Sequence, residues 1–104
     1  MRREIKFRVW DNISEILYNW ETIKYISLID FDLEHYTLEQ FTGLKDKNGV
    51  GIYEGDILEF ECGTDFTVHF LYGTFGWHGY SGFISLFDTN LGIAKIIGNI
   101  HENK

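Results

Sequence analysis

The pair Asn48-Gly49 lies near the middle of the chain, inside "TGLKDKNGVGIYEGDILEF", which runs from Thr42 to Phe60. Asn-Gly is the pair favoured in type I′ turns, where both central residues need positive φ. It stands between "FTGLK" and "VGIY", so a hairpin with a type I′ turn is predicted, with positive φ at Gly49. "EGD" reads as a second turn, in which Gly55 frees the backbone for a corner and Asp56 accepts hydrogen bonds from turn N–H groups. "DILEF" then leaves as a strand. This much turn chemistry between short apolar runs commits the middle of the chain to antiparallel β-structure.

The flanks extend that reading. "REIKFRVW" alternates, with Ile5, Phe7 and Val9 on one side and Glu4, Lys6 and Arg8 on the other. It predicts a half-buried strand with a charged, solvated outer face. "DNIS" is a turn and "EILYNW" a short return strand. "ETIKYISLIDF" is read as a short helix capped by Asn19, with Trp20, Ile23, Leu28 and Ile29 as a partial stripe, although its β-branched and aromatic content fits a strand nearly as well. "HYTLEQFTGL" reads as a strand with Tyr36, Leu38 and Phe41 as its apolar members. From Gly55 onward four strands are predicted, "DILEF", "FTVHFLY", "GFISLF" and "AKIIGNI", the second with Phe66, Val68, Phe70 and Tyr72 on one face. Short strands at this spacing suit a small barrel or a strongly curved sheet.

Composition narrows the function classes. The chain is 44% apolar and 17% aromatic, enough for one core in one small domain, or one domain with a subdomain. No run approaches the roughly 20 apolar residues of a membrane span. "MRREIKFRVWD" lacks the apolar stretch of a signal peptide, and Cys62 is the single cysteine. A cytoplasmic protein is expected. The net charge of −7 argues against broad nucleic-acid binding, because phosphate backbones attract cations. The basic cluster Arg2, Arg3, Lys6 and Arg8 leaves a nucleic-acid-contacting arm as an alternative to a plain solvated edge strand.

Sites with known chemistry are sparse. His35, His69, His78, His101 and Cys62 show no zinc half-site spacing, so no metal is expected. Cys62 with His69 lacks a setting that would lower the thiol pKa, and "GYSGF" lacks the nucleophile frame. The acids of "YEGDILEFE" read as turn and surface residues rather than a catalytic pair. "GVGIYEG" opens into a strand, not into the helix that a pyrophosphate site uses. No catalytic residue and no cofactor are expected. The informative stretch is "YGTFGWHGYSGF", where Gly73, Gly76, Gly79 and Gly82 fall at every third position among aromatics. One reading is a curved or bulged hairpin whose rings cover the core. The other is an aromatic platform for a partner, with Tyr72, Phe75, Trp77 and Tyr80 as contacts and Trp77 as anchor.

The central stretch resembles the hallmark of the YopX family of phage and prophage proteins. "REIKFRVWD" resembles that family's opening strand, "YGTFGW" its aromatic-glycine hairpin and "IIGNIHEN" its closing segment. The resemblance implies a phage-borne cytoplasmic protein and no established catalytic mechanism. The resulting fold expectation is α+β, mainly β. An N-terminal α+β part over 1–40 is followed by a small SH3-like barrel over 41–104 that includes its entry hairpin. The functional expectation is a non-enzymatic accessory protein binding another macromolecule, with a host or phage protein or a second copy as its partner. The alternatives are a nucleic-acid-binding regulator, or an acidic mimic of nucleic acid that blocks a host enzyme.

Overall fold

The structure, a computed structural model, describes residues 5–25 and 34–102. Arg2, Arg3, Leu28 and Ile29 lie outside the described residues. The fold is mainly β. Among the described residues ten strands run in the order β1 (Phe7–Asp11), β2 (Ile16–Tyr18), β3 (Tyr36–Lys45), β4 (Gly51–Tyr53), β5 (Asp56–Phe60), β6 (Asp65–Thr67), β7 (His69–Leu71), β8 (Thr74–Gly79), β9 (Gly82–Ser85) and β10 (Ala94–Asn99). They form three sheets, ordered β2-β1-β3-β4, β10-β5-β6 and β7-β8-β9. All pairs are antiparallel. The helix α1 is short, Trp20–Ile23, and Asn19 caps it by accepting the Thr22 N–H at 3.0 Å.

Among the described residues six strands follow Gly55, not four. "FTVHFLY" is not one strand, because the chain bends at Val68 and passes from one sheet to another. Val68 donates to the Asp56 carbonyl and accepts from Gly55, which pins the bend. Phe66 and Val68 enter the core, whereas Phe70 is 46% and Tyr72 86% exposed. Strand β3 runs without interruption through positions 40 and 41.

The Asn48-Gly49 turn is closed by Gly49 N–H to the Asp46 carbonyl at 3.0 Å. Gly49 has φ +79, as expected, but Asn48 is not in the positive-φ region, so the turn is not type I′. The Asp46 carboxylate is the reason. It accepts the N–H groups of Asn48 and Val50, each at 2.9 Å, and holds a local Asx-type geometry instead. The type I′ signature falls elsewhere, at Tyr72 (φ +54) and Gly73 (φ +78), which link β7 to β8.

The core gathers residues of all three sheets: Ile52 of β4, Leu58 of β5, Phe66 of β6, Phe75 of β8 and Ala94 of β10, with Val68 and Leu86. The hairpin of β3 and β4 latches onto it. Asp46 also accepts the Ile96 N–H at 2.9 Å, and Lys47 donates to the Ala94 carbonyl. Burial pushes the Asp46 carboxyl up, but the N–H groups of Ile96, Val50 and Asn48 outweigh it and hold the group below its ordinary value.

Candidate partner-binding surface

Two regions hold the polar and aromatic side chains from which a site could be built. The first is a buried joint between the N-terminal sheet and β5. Arg8 donates through Nε to Glu39 Oε1 at 2.8 Å and through Nη1 to Asp56 Oδ1 at 2.8 Å. Its remaining nitrogen reaches the Glu54 carbonyl at 3.3 Å. Glu39 Oε2 lies 3.0 Å from His101 Nε2, and the His101 ring stacks on Trp10 at 4.5 Å. Asp56 Oδ2 accepts the Tyr53 N–H at 2.8 Å, as the sequence predicts for the acid after "EG".

Strand β1 therefore has no solvated charged face at Arg8, whose side chain is only 10% exposed. Alternation shows which residues share a face, not whether that face is covered. Here Glu54, the start of β5 at Asp56, and His101 beyond β10 cover it. Burial raises the Asp56 carboxyl, and the Glu39 charge adds to this; Arg8 and the Tyr53 N–H oppose it. Burial also raises Glu54, with Glu39 adding and Gln40, His69 and Arg8 opposing. Among the described residues every buried side-chain nitrogen and oxygen has a hydrogen-bond partner. A cavity of about 320 Å³ opens beside the joint, but its Arg8 and Asp56 already pair with each other. Among the described residues no group of three metal-ligating side chains occurs. Cys62 is exposed, and Thr64 hydrogen bonds lower its thiol pKa.

The second region is the meander of β7, β8 and β9. Its two faces differ. On the inner face Phe75 is 1% exposed. The half-buried Trp77 ring lies 4.8 Å from Phe66 and 5.7 Å from Phe60, and its Nε1–H donates to Thr89 Oγ1 at 2.9 Å. These two rings therefore belong to the packing side, not to a surface platform. Tyr72 and Tyr80 are exposed in the two turns. Of the proposed arm, Arg8 is consumed by ion pairs, and the Lys6 ammonium sits 4.5 Å over the Phe41 ring.

The outer face carries a row of rings that the linear spacing of the sequence did not reveal. Tyr72 meets Phe83 at 5.6 Å, Phe83 meets His78 at 5.3 Å, and His78 meets His69 at 5.4 Å. The register makes this row by placing His78 opposite Phe83 across the β8–β9 pair. Gly76 lets the Phe83 ring lie down on the sheet, since a Cβ there would come within 2.7 Å of that ring. His69 and His78 are exposed. The available signal was charge: from Phe66 to Phe87 the chain has no Asp, Glu, Lys or Arg, although such residues make up 24% of it. Charge depletion with aromatic enrichment is the composition of an interface centre.

The whole fold has a solved counterpart. Protein EF1440 from Enterococcus faecalis superposes with a TM-score of 0.72 at 25% identity, covering 98% of this chain and 96% of that one. No curated protein matches the sequence. The family described as YopX protein matches residues 6–104, nearly the entire length, and the chain belongs to the YopX family.

Proposed function

We propose that this chain is a non-enzymatic protein-binding module, and that the outer face of β7, β8 and β9 is where its partner sits. The observation that carries this reading is the ring row Tyr72–Phe83–His78–His69 on a sheet without formal charge. Exposed apolar surface of this kind costs free energy in water and is offset when a partner covers it. The net charge of −7 around it favours a partner of opposite charge. The partner is then a basic host or phage protein with an apolar contact patch. The family resemblance supports a phage or prophage accessory role in the bacterial cytoplasm. The strands from β4 to β10 around one core support an SH3-like barrel subdomain over 41–104, with 1–40 as the N-terminal part.

Affinity capture from lysogenic cells tests the reading, comparing the wild type with a Tyr72→Ala/His78→Ala variant, each with and without nuclease. The partner is expected to be captured by the wild type in both conditions and lost from the variant. Capture that vanishes with nuclease would transfer the case to the nucleic-acid-binding alternative. Capture that the variant retains would remove this face as the site. Purified protein is expected to show no hydrolase or nuclease turnover, and turnover abolished by Glu54→Ala or Cys62→Ala would overturn the non-enzymatic reading.

A further inference from the structure

The edge of the meander is separate from its outer face. Strand β7 is an outermost strand of its sheet, pairing with β8 alone among the described residues. All three of its residues, His69, Phe70 and Leu71, are exposed. Edge strands of soluble proteins are commonly protected by charged side chains, by proline or by cover. This one has none of the first two, for the chain contains no proline and no charged residue between Asp65 and Asp88. The two-residue turn makes Leu71–Thr74 and His69–Gly76 the hydrogen-bonded pairs with β8, so the N–H and C=O of Phe70 face the free edge and form a template for another strand.

We infer that the strand added there is β7 of a second copy, in antiparallel register about a two-fold axis through Phe70. Three considerations select this occupant. Charge is the first. Two copies, each with a net charge of −7, repel over most approaches, and the uncharged sheet is where that repulsion is weakest. Self-complementarity is the second. A two-fold contact must match a patch with itself. Pairing about Phe70 sets Phe70 against Phe70 of the second copy, and His69 against Leu71 in both directions, with no ionic mismatch. Exposure is the third. Phe70 is 46% and Leu71 37% exposed, so both have surface left to cover. A contact between three-residue strands is small, below the size of permanent interfaces, so the dimer exchanges with monomer at concentrations on the order of micromolar. The dimer would join two meanders into one six-stranded sheet, covering the His69 end of each ring row and leaving Tyr72, Phe83 and His78 open, so it does not depend on the partner proposed for the outer face.

Analytical ultracentrifugation over a concentration series tests this, with thermal melts confirming that each variant folds. The wild type is expected to move from one chain mass towards twice that mass, and added salt should not dissolve the dimer. Leu71→Lys is expected to be monomeric, because it sets a bare ammonium against His69 of the second copy. The double variant His69→Glu/Leu71→Lys is expected to dimerise again, since each introduced ammonium then faces an introduced carboxylate across the axis. Hydrogen exchange at the Phe70 amide, the one that faces the free edge, should slow as protein concentration rises. A monomeric wild type would overturn the proposal, including one whose Phe70 amide is protected at every concentration by another part of the chain. Dimers that survive Leu71→Lys would place the contact elsewhere, and failure of the double variant to recover would exclude this register. Tyr72→Ala/His78→Ala should leave the dimer intact, which separates this result from the capture experiment.

Discussion

The buried joint and the outer face of the meander invert the usual distribution of residue types. At the joint, Arg8, Glu39, Asp56 and His101 are nearly sealed from water. On the outer face of the meander, Tyr72, His69 and His78 stand in water around the half-buried Phe83, with no charge among them. The difference lies in what each group can find as a partner. A buried charge persists only when it is paired and hydrogen-bonded, and the joint supplies a complete set of such partners. An exposed ring needs no partner to fold; it needs one only to be covered. The joint is thus finished within the chain; on the reading proposed above, the meander is finished by a partner.

The largest effect expected from breaking this contrast is at Arg8. Replacing it with Met leaves Glu39 and Asp56 buried without their cation. A loss of about 3–5 kcal/mol in urea unfolding is expected. The variant's deficit should shrink in acid. Asp56 already has a raised pKa, and without Arg8 it is raised further, so the folded state binds its proton more tightly than the unfolded state. The penalty is full above the folded pKa and is relieved as pH falls towards the unfolded value. A deficit unchanged between neutral and mildly acid pH would show that the joint carries little electrostatic cost.

Trp77 and Tyr80 divide the meander itself. Trp77→Ala removes a ring packed on Phe60 and Phe66 and the indole N–H bond to Thr89, whose hydroxyl keeps its bond to the Ser85 carbonyl, so a loss of about 3 kcal/mol is expected. Tyr80→Ala should leave the urea midpoint nearly unmoved, because Tyr80 is fully exposed in its turn. Equal losses would mean that the two faces of the sheet are not as distinct as their contacts indicate.

These residues also show what the sequence could and could not disclose. Turn chemistry was legible at Gly49, Gly55, Asp56 and Asn19, because each depends on neighbours within a few positions. The burial of Arg8 was not, since its partner Glu39 is 31 residues away and His101 is 62 residues from Glu39. The ring row was hidden for a similar reason. It is a product of cross-strand register, which brings His78 beside Phe83 and His69 although no helical or metal spacing links them. The single strand read from "FTVHFLY" failed because period-two alternation does not record a bend between sheets.

Asp46 offers a smaller and pH-dependent test of how the hairpin is tied to the core. Asp46→Asn keeps the shape but replaces one acceptor oxygen with a donor facing N–H groups. A loss of about 2 kcal/mol at neutral pH is expected. The wild-type carboxyl titrates below its ordinary 3.8 when folded, so its contribution is present above that value. It is lost as pH falls from 3.8 through the folded pKa. The two proteins should therefore converge in strong acid, as followed by urea midpoints across a pH series. A constant difference would locate the effect in packing instead of charge.

The smallest expected change has the opposite sign. Tyr72 occupies the left-handed region at φ +54, where a bulky residue is strained, and its side chain is 86% exposed. Its contact with the Phe83 ring is an edge-on approach at 5.6 Å, worth less than the strain that the backbone bears. Asn tolerates that region far better. Tyr72→Asn should consequently stabilise the fold by about 1 kcal/mol, read as a higher melting temperature, because the turn with Gly73 is retained while the strain is relieved. A ring held at a conformational cost at the end of an uncharged row is understandable if it serves a contact outside the chain. The same variant should then capture its partner less well than the wild type although it folds better. A Tyr72→Asn protein that is less stable than the wild type would show that Tyr72 is part of the packing, and the contrast between a finished joint and an unfinished face would fail at that residue.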